Sequence, residues 1–171
     1  HEIRANADGV FAALRINVVP GTGTSLMTDG DEGLVIEAGV PSDLFVELVD
    51  VHGNTAPAES VELRSEDFVL FDASSSGRGF WQLTGITSGT YELELAQGDA
   101  EHTLPLTIVP GQPVRVITGM ANETRSQGEV TLITVHAEDS QGNRVEVNPE
   151  RTSLSCTSGK ATHVKSDTWE A

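Results

Sequence analysis

Cysteine is nearly absent from this chain. Cys156 stands alone, so no disulfide can close within one chain and no cysteine metal cluster can form. That argues against a disulfide-stapled ectodomain. Basic residues are few: 10 Lys and Arg face 26 Asp and Glu, a formal net charge of −16. A field of that sign repels phosphate, which excludes nucleic acid and anionic membranes as partners. No apolar run approaches the ~20 residues of a membrane-spanning helix, so direct membrane insertion of that kind is excluded. The opening His-Glu-Ile-Arg-Ala-Asn lacks a secretory-leader pattern and begins inside what reads as a strand, which predicts a piece of a longer polypeptide. Helical periodicity is missing too: apolar residues nowhere recur at i, i+3, i+4 and i+7 over three turns.

What is there has the texture of sheets. Hydrophobic residues make up 37%, enough for a core, and 17 glycines join Asn, Asp and Ser in separating short Val/Ile/Leu runs. The carboxylates are scattered, with no block of five like charges, and two readings of them stay open. They serve solubility and salt tolerance, or they bind divalent cations.

Self-comparison gives the organisation. Residues 91–111, YELELAQGDAEHTLPLTIVPG, align without gaps on residues 1–21, HEIRANADGVFAALRINVVPG, at an offset of 90. Leu14/Leu104, Val19/Val109, Pro20/Pro110 and Gly21/Gly111 are identical. FVELVDVHGN (45–54) matches TVHAEDSQGN (134–143) at an offset of 89, with Asp50, Gly53 and Asn54 recurring as Asp139, Gly142 and Asn143. The period is therefore about 90 residues. Residues 1–21 read as the last strands of a preceding repeat, 22–110 as a complete repeat, and 111–171 as a partial following one. Pro20-Gly21 and Pro110-Gly111 mark the boundaries.

Within 22–110 the apolar positions alternate at period two, and turn residues recur every 8–12 positions. About seven strands in ~90 residues indicate a β-sandwich. Leu44, Val46, Leu48, Leu63, Tyr91, Leu93, Leu106 and Ile108 are the expected core. Tyr91 opens a late strand and is expected to bury its ring while its hydroxyl caps a backbone group across the corner; alternatively it is an ordinary strand aromatic. Phe80 and Trp81 are adjacent, so one of them must face outward in a regular strand. An outward Trp81 would serve as a sugar platform or an inter-repeat contact.

These residues carry a resemblance. The run AGVPSDLFVELVDVHGN (38–54), then SGTYELEL (88–95) and PLTIVPG (105–111), resembles bacterial Ig-like repeats of the invasin/intimin kind. It also resembles filamin-type repeats, although GDAEHTLPL (98–106) departs from their run before the last strand. The resemblance covers 22–110 fully and 112–171 in part. It implies an all-β chain of immunoglobulin-like β-sandwich repeats in tandem, extracellular or on the cell surface, with a structural or adhesive role and no enzymatic one. Two alternatives stand beside it: a cytoplasmic filamin-like cross-linker, and a carbohydrate-binding accessory module of a secreted enzyme. The partners implied are neighbouring repeats, and a cell-surface protein or glycan.

Chemistry-bearing constellations are thin. No two of His1, His52, His102, His136 and His163 fall at i, i+2 or i, i+4, so no local zinc pair exists. No G-x-S-x-G occurs, and Cys156 with distant His163 lacks a nucleophile–base spacing. The CTSGKAT run (156–162) contains a Gly-Lys pair but not the earlier Gly of a phosphate loop, and reads as a hairpin turn. Asn122-Glu-Thr is a formal glycosylation sequon. No cofactor is expected except calcium, for which Asp29, Asp31 and Glu32, and the turn residues Asp50 and Asp139, supply oxygens. The competing reading is that these aspartates hydrogen-bond their own turns, because the D-x-[DN]-x-[DN]-G pattern is missing. Finally, 1–20 and 112–171 together make up nearly one repeat, so strand exchange between chains is expected to close both.

Overall fold

Strict alternation in 44–48 and 91–95 requires one buried face per strand, and the computed structural model shows two such faces closing on each other. The structure describes residues 1–30, 32–65, 71–120, 126, 128–155, 157, 160–165 and 167–170. Phe68 and Leu70, the sequon at Asn122, and Cys156 lie outside the described residues, as does Asp31.

One sheet of the sandwich holds β3 (Gly23–Thr28), β5 (Pro41–Asp50), β9 (Phe80–Gly85) and β8 (Phe71–Gly77) in that order, with β6 (Thr55–Pro57) added to β5. The other holds β4 (Leu34–Glu37), β11 (Ala100–Val109), β10 (Gly89–Gln97) and β7 (Glu62–Arg64). The pair β10–β11 is antiparallel with Leu93 opposite Leu104 and Tyr91 opposite Leu106. β4 runs parallel to β11, pairing Ile36 with Ile108. Between the sheets lie Leu26, Ile36, Leu44, Val46, Leu63, Leu83, Leu93, Leu95, Leu104, Leu106 and Ile108.

Six of the eight expected core residues are buried there. Leu48 and Tyr91 are instead partly buried and pack against the core from its margin. Tyr91 sits there because its hydroxyl reaches out to donate to the Thr87 carbonyl at 2.9 Å, the corner cap expected of it. Phe80 is the residue of its pair that faces outward, 49% exposed, with its ring 4.4 Å from that of Phe45. Trp81 is partly buried and packs against the core.

Two smaller parts flank the sandwich. β1 (Glu2–Ala7) and β2 (Val10–Arg15) form an antiparallel hairpin whose residues are all exposed. After the sandwich, β12 (Arg115–Met120), β13 (Leu132–Glu138), β16 (Thr168–Glu170) and β15 (Thr162–Lys165) make a third sheet, with β14 (Arg144–Val145) on β13. β13 and β5 occupy equivalent places, each leading into an Asp-x-x-Gly-Asn turn.

Candidate functional site: the carboxylate turns

Both turns are built the same way. β5 ends on Asp50, and the chain reverses through Gly53 at φ +78°. Asp50 Oδ1 accepts from the backbone N–H groups of His52 and Asn54 at 2.8 and 2.9 Å, while Oδ2 accepts from the N–H of Gly21 at 2.8 Å. The Asn54 side-chain amide donates to the same carboxylate at 3.0–3.2 Å. In the second turn, Asp139 Oδ1 accepts from the N–H groups of Gln141 and Asn143 at 2.9 and 2.8 Å. Its Oδ2 accepts from the Gly111 N–H and the Asn143 amide, each at 2.8 Å. Gly21 and Gly111 follow Pro20 and Pro110, so each carboxylate ties the chain just after a proline to the turn that follows β5 or β13.

The electrostatics follow from that donor set. The Asn54 amide, then the N–H groups of Gly21, Asn54 and His52, hold the Asp50 carboxyl well below the usual carboxylate range. For Asp139, burial pushes the carboxyl up, but the Asn143 amide and the N–H groups of Gly111, Asn143 and Gln141 outweigh it, and its pKa is lowered. Both side chains are charged acceptors surrounded by donors.

Among the described residues, the calcium candidates Asp50 and Asp139 are not brought together. Asp50 and Asp139 occupy separate turns, and N–H donors engage both oxygens of each. Asp29 lies at the end of β3 and accepts from the Phe45 N–H at 3.4 Å; Glu32 is exposed nearby. Among the described residues no group of three His, Cys, Asp or Glu is placed to hold a metal ion. Of the histidines, His136 approaches Glu138 at 3.5 Å and His163 stacks edge-on against Trp169. His52 sits in the first turn, on its exposed side.

The second turn also reaches outside itself. Asn143 Nδ2 donates to the Ile86 carbonyl at 2.8 Å, and its Oδ1 accepts from the Ser88 N–H at 2.7 Å. Ile86 and Ser88 belong to the loop between β9 and β10 of the sandwich. The Gln141 amide lies over Gly39, where a Cβ would come within 2.8 Å of Gln141 Oε1 and where φ is +77°. A Cβ on Gly111 would meet the Ala38 carbonyl at 2.7 Å. Two loops of the sandwich, at 38–39 and 86–88, and the chain at Gly111 thus converge on one turn of the third sheet. The recurrence of Asp-x-x-Gly-Asn is visible in the sequence, but nothing there shows that its Asn bridges two sheets.

The fold defines the class: an immunoglobulin-like β-sandwich protein, all β among its described residues save for a 3₁₀ turn at Pro149–Arg151. The particular proteins it is similar to are bacterial surface proteins. FdeC, an Escherichia coli adhesin, superposes with a TM-score of 0.55 at 19% identity, over 99% of this chain and 63% of that one. Invasin, a bacterial integrin-binding protein, superposes at 0.53 and 16% identity, over 99% and 38%. Domains 4–9 of the surface-layer protein SbsC align at 0.47 and 18%, over 99% and 30%. The chain spans less than two thirds of the length of each. With FdeC and invasin it shares the fold, the one that the sequence resemblance implied. No protein-family model matches the chain, and no curated protein sequence does. No helix among the described residues is long and apolar enough to cross a membrane.

Proposed function

We propose that this chain is a non-enzymatic structural and adhesive segment of a larger cell-surface protein, made of immunoglobulin-like units in tandem. One observation carries the reading: the Asp–Gly clasp occurs twice, Asp50 with Gly21 and Asp139 with Gly111, at the spacing of the sequence period. A clasp repeated at every boundary is what a chain of units needs to hold a fixed spacing under load. The adhesin fold of its neighbours supports the same role, and the absence of a nucleophile–base or metal-ligand spacing in the sequence supports a non-enzymatic one.

The flanking parts fit tandem units at residues 1–21, 22–110 and 111–171. Ile3, Leu14, Ile16 and Val18 are 54, 61, 41 and 57% exposed, yet they align with Leu93, Leu104, Leu106 and Ile108 of the core, each at most 2% exposed. The hairpin therefore presents a core face whose covering sheet belongs to another unit. The sheet at 115–170 is the kind it fits, which makes strand exchange between copies the natural association of the isolated chain. Other partners are a surface protein or glycan met through the exposed faces.

The test is labelling of intact host cells with an antibody raised against this chain. Labelling of unpermeabilised cells, lost on mild surface proteolysis, is the expected result. Labelling only after permeabilisation would overturn the surface reading in favour of an intracellular cross-linker.

A further inference from the structure

The two turns are alike inside and unlike outside. Asp50 and Asp139 collect the same donors, but Asn143 is 7% exposed and engages Ile86 and Ser88 of the sandwich, whereas Asn54 is exposed. Among the described residues no donor meets Asn54 Oδ1, and its amide donates only to Asp50. The division of labour within the motif follows. The aspartate satisfies its own segment, holding the boundary glycine and the turn N–H groups. The asparagine has one amide proton left over and a carbonyl oxygen, a donor–acceptor pair on one planar group.

At the second turn that pair meets a complementary one. A main-chain carbonyl (Ile86) and a main-chain N–H (Ser88), two residues apart in a loop, face the side-chain amide at 2.8 and 2.7 Å. Recognition of this kind reads backbone geometry and not side-chain identity, so it suits units whose sequences have diverged. The approach is close at Gly111, where a Cβ would run into the Ala38 carbonyl, while Gly39 faces the end of the Gln141 side chain.

We propose that the asparagine of each Asp-x-x-Gly-Asn turn is a docking residue that locks its unit onto the end of the preceding sandwich, and that Asn54 is such a surface standing open. Its occupant is a sandwich end of the same kind, presenting a β9–β10 loop with a free carbonyl and a free N–H two residues apart. The joint so made is metal-independent, since the carboxylates that line it are already saturated with N–H donors. The inference rests on the recurrence of the turn and not on surface location, so it stands or falls independently of the cell-labelling result.

Residual dipolar couplings of backbone amides test it. In the 171-residue chain, couplings from 23–109 and from 115–170 fit one alignment tensor, in chelator as in calcium. Asn143→Ala splits them into two tensors while the amide fingerprint of 23–109 is retained. Asn54→Ala, which removes the same contacts to its own aspartate, leaves one tensor. The roles invert at the added joint when a copy of residues 22–90 is fused ahead of His1, restoring a full preceding repeat at the offset of 90. There Asn54→Ala frees the added unit and Asn143→Ala does not. If Asn143→Ala loses the fold of the third sheet, Asn143→Ser replaces it, since serine cannot span from Asp139 to both loop groups. A single tensor retained in the folded Asn143 variant would overturn the proposal, as would an added unit indifferent to Asn54.

Discussion

Asp139 shows how a single residue decides a joint. It is 2% exposed, and its charge is balanced by N–H dipoles and not by a cation. Replacing it with alanine leaves the buried Gly111 N–H without an acceptor, a loss of about 1–3 kcal/mol on the scale for orphaned buried donors. The pH dependence has a definite sign. The pKa of Asp139 is lowered in the folded state, so its stabilisation is complete above the ordinary aspartate value and is lost as pH falls through the folded one. Thermal unfolding followed by circular dichroism is therefore expected to show stability dropping below about pH 4, the region of unperturbed aspartate. Asp139→Asn flattens that drop. An equally steep fall in the variant would assign the acid sensitivity to other carboxylates.

Leu104 is fully buried in β11 opposite Leu93, so Leu104→Ala should cost about 2–5 kcal/mol in the melting of the sandwich. Its equivalent in the hairpin, Leu14, is exposed in the single chain, so Leu14→Ala should leave that melting unchanged. The same hairpin is expected to drive association of the isolated chain. Light scattering should show an oligomer that disappears when residues 1–20 are deleted, and a monomer at high concentration would contradict strand exchange.

Legibility in the sequence also divides by element. β5, β10 and β11 could be read because their apolar residues alternate cleanly. β3 and β4 could not: Gly23-Thr-Ser reads as a turn, and the four-residue run Leu34–Glu37 is too short for a period to show. β8 was hidden by its serines, Ser74, Ser75 and Ser76, which lie on an exposed strand. The site was half legible. Asp50 and Asp139 stood out as recurring turn residues, and hydrogen bonding to their own turns was one of the two readings open. Their bond to the boundary glycines and the reach of Asn143 into another sheet depend on long-range packing that no local spacing encodes.

At the scale of the whole molecule the charge is uneven. Residues 22–110 hold 16 of the 26 acidic residues but only two of the 10 basic ones, Arg64 and Arg78. Exposed Glu62, Glu92, Glu94 and Glu101 crowd one sheet, with Arg64 beside Glu62 the only cation among them. Like charge at this density opposes the compact state, and salt screens it over about 10 Å at 0.1 M. The melting temperature of the sandwich is thus expected to rise between low and high sodium chloride, and a fall would point to ion pairs as the dominant surface term.

Asp50 and Asp139 act as acceptors for the Gly21 and Gly111 amides. Hydrogen exchange of the Gly21 and Gly111 N–H groups, measured in chelator and again in millimolar calcium, examines that directly. Both amides are expected to be strongly protected in chelator, Gly111 the more so, with rates that calcium leaves unchanged. Exchange of Gly111 at the rate of an open turn in chelator, with protection appearing only on adding calcium, would make the turn a metal site and contradict the account.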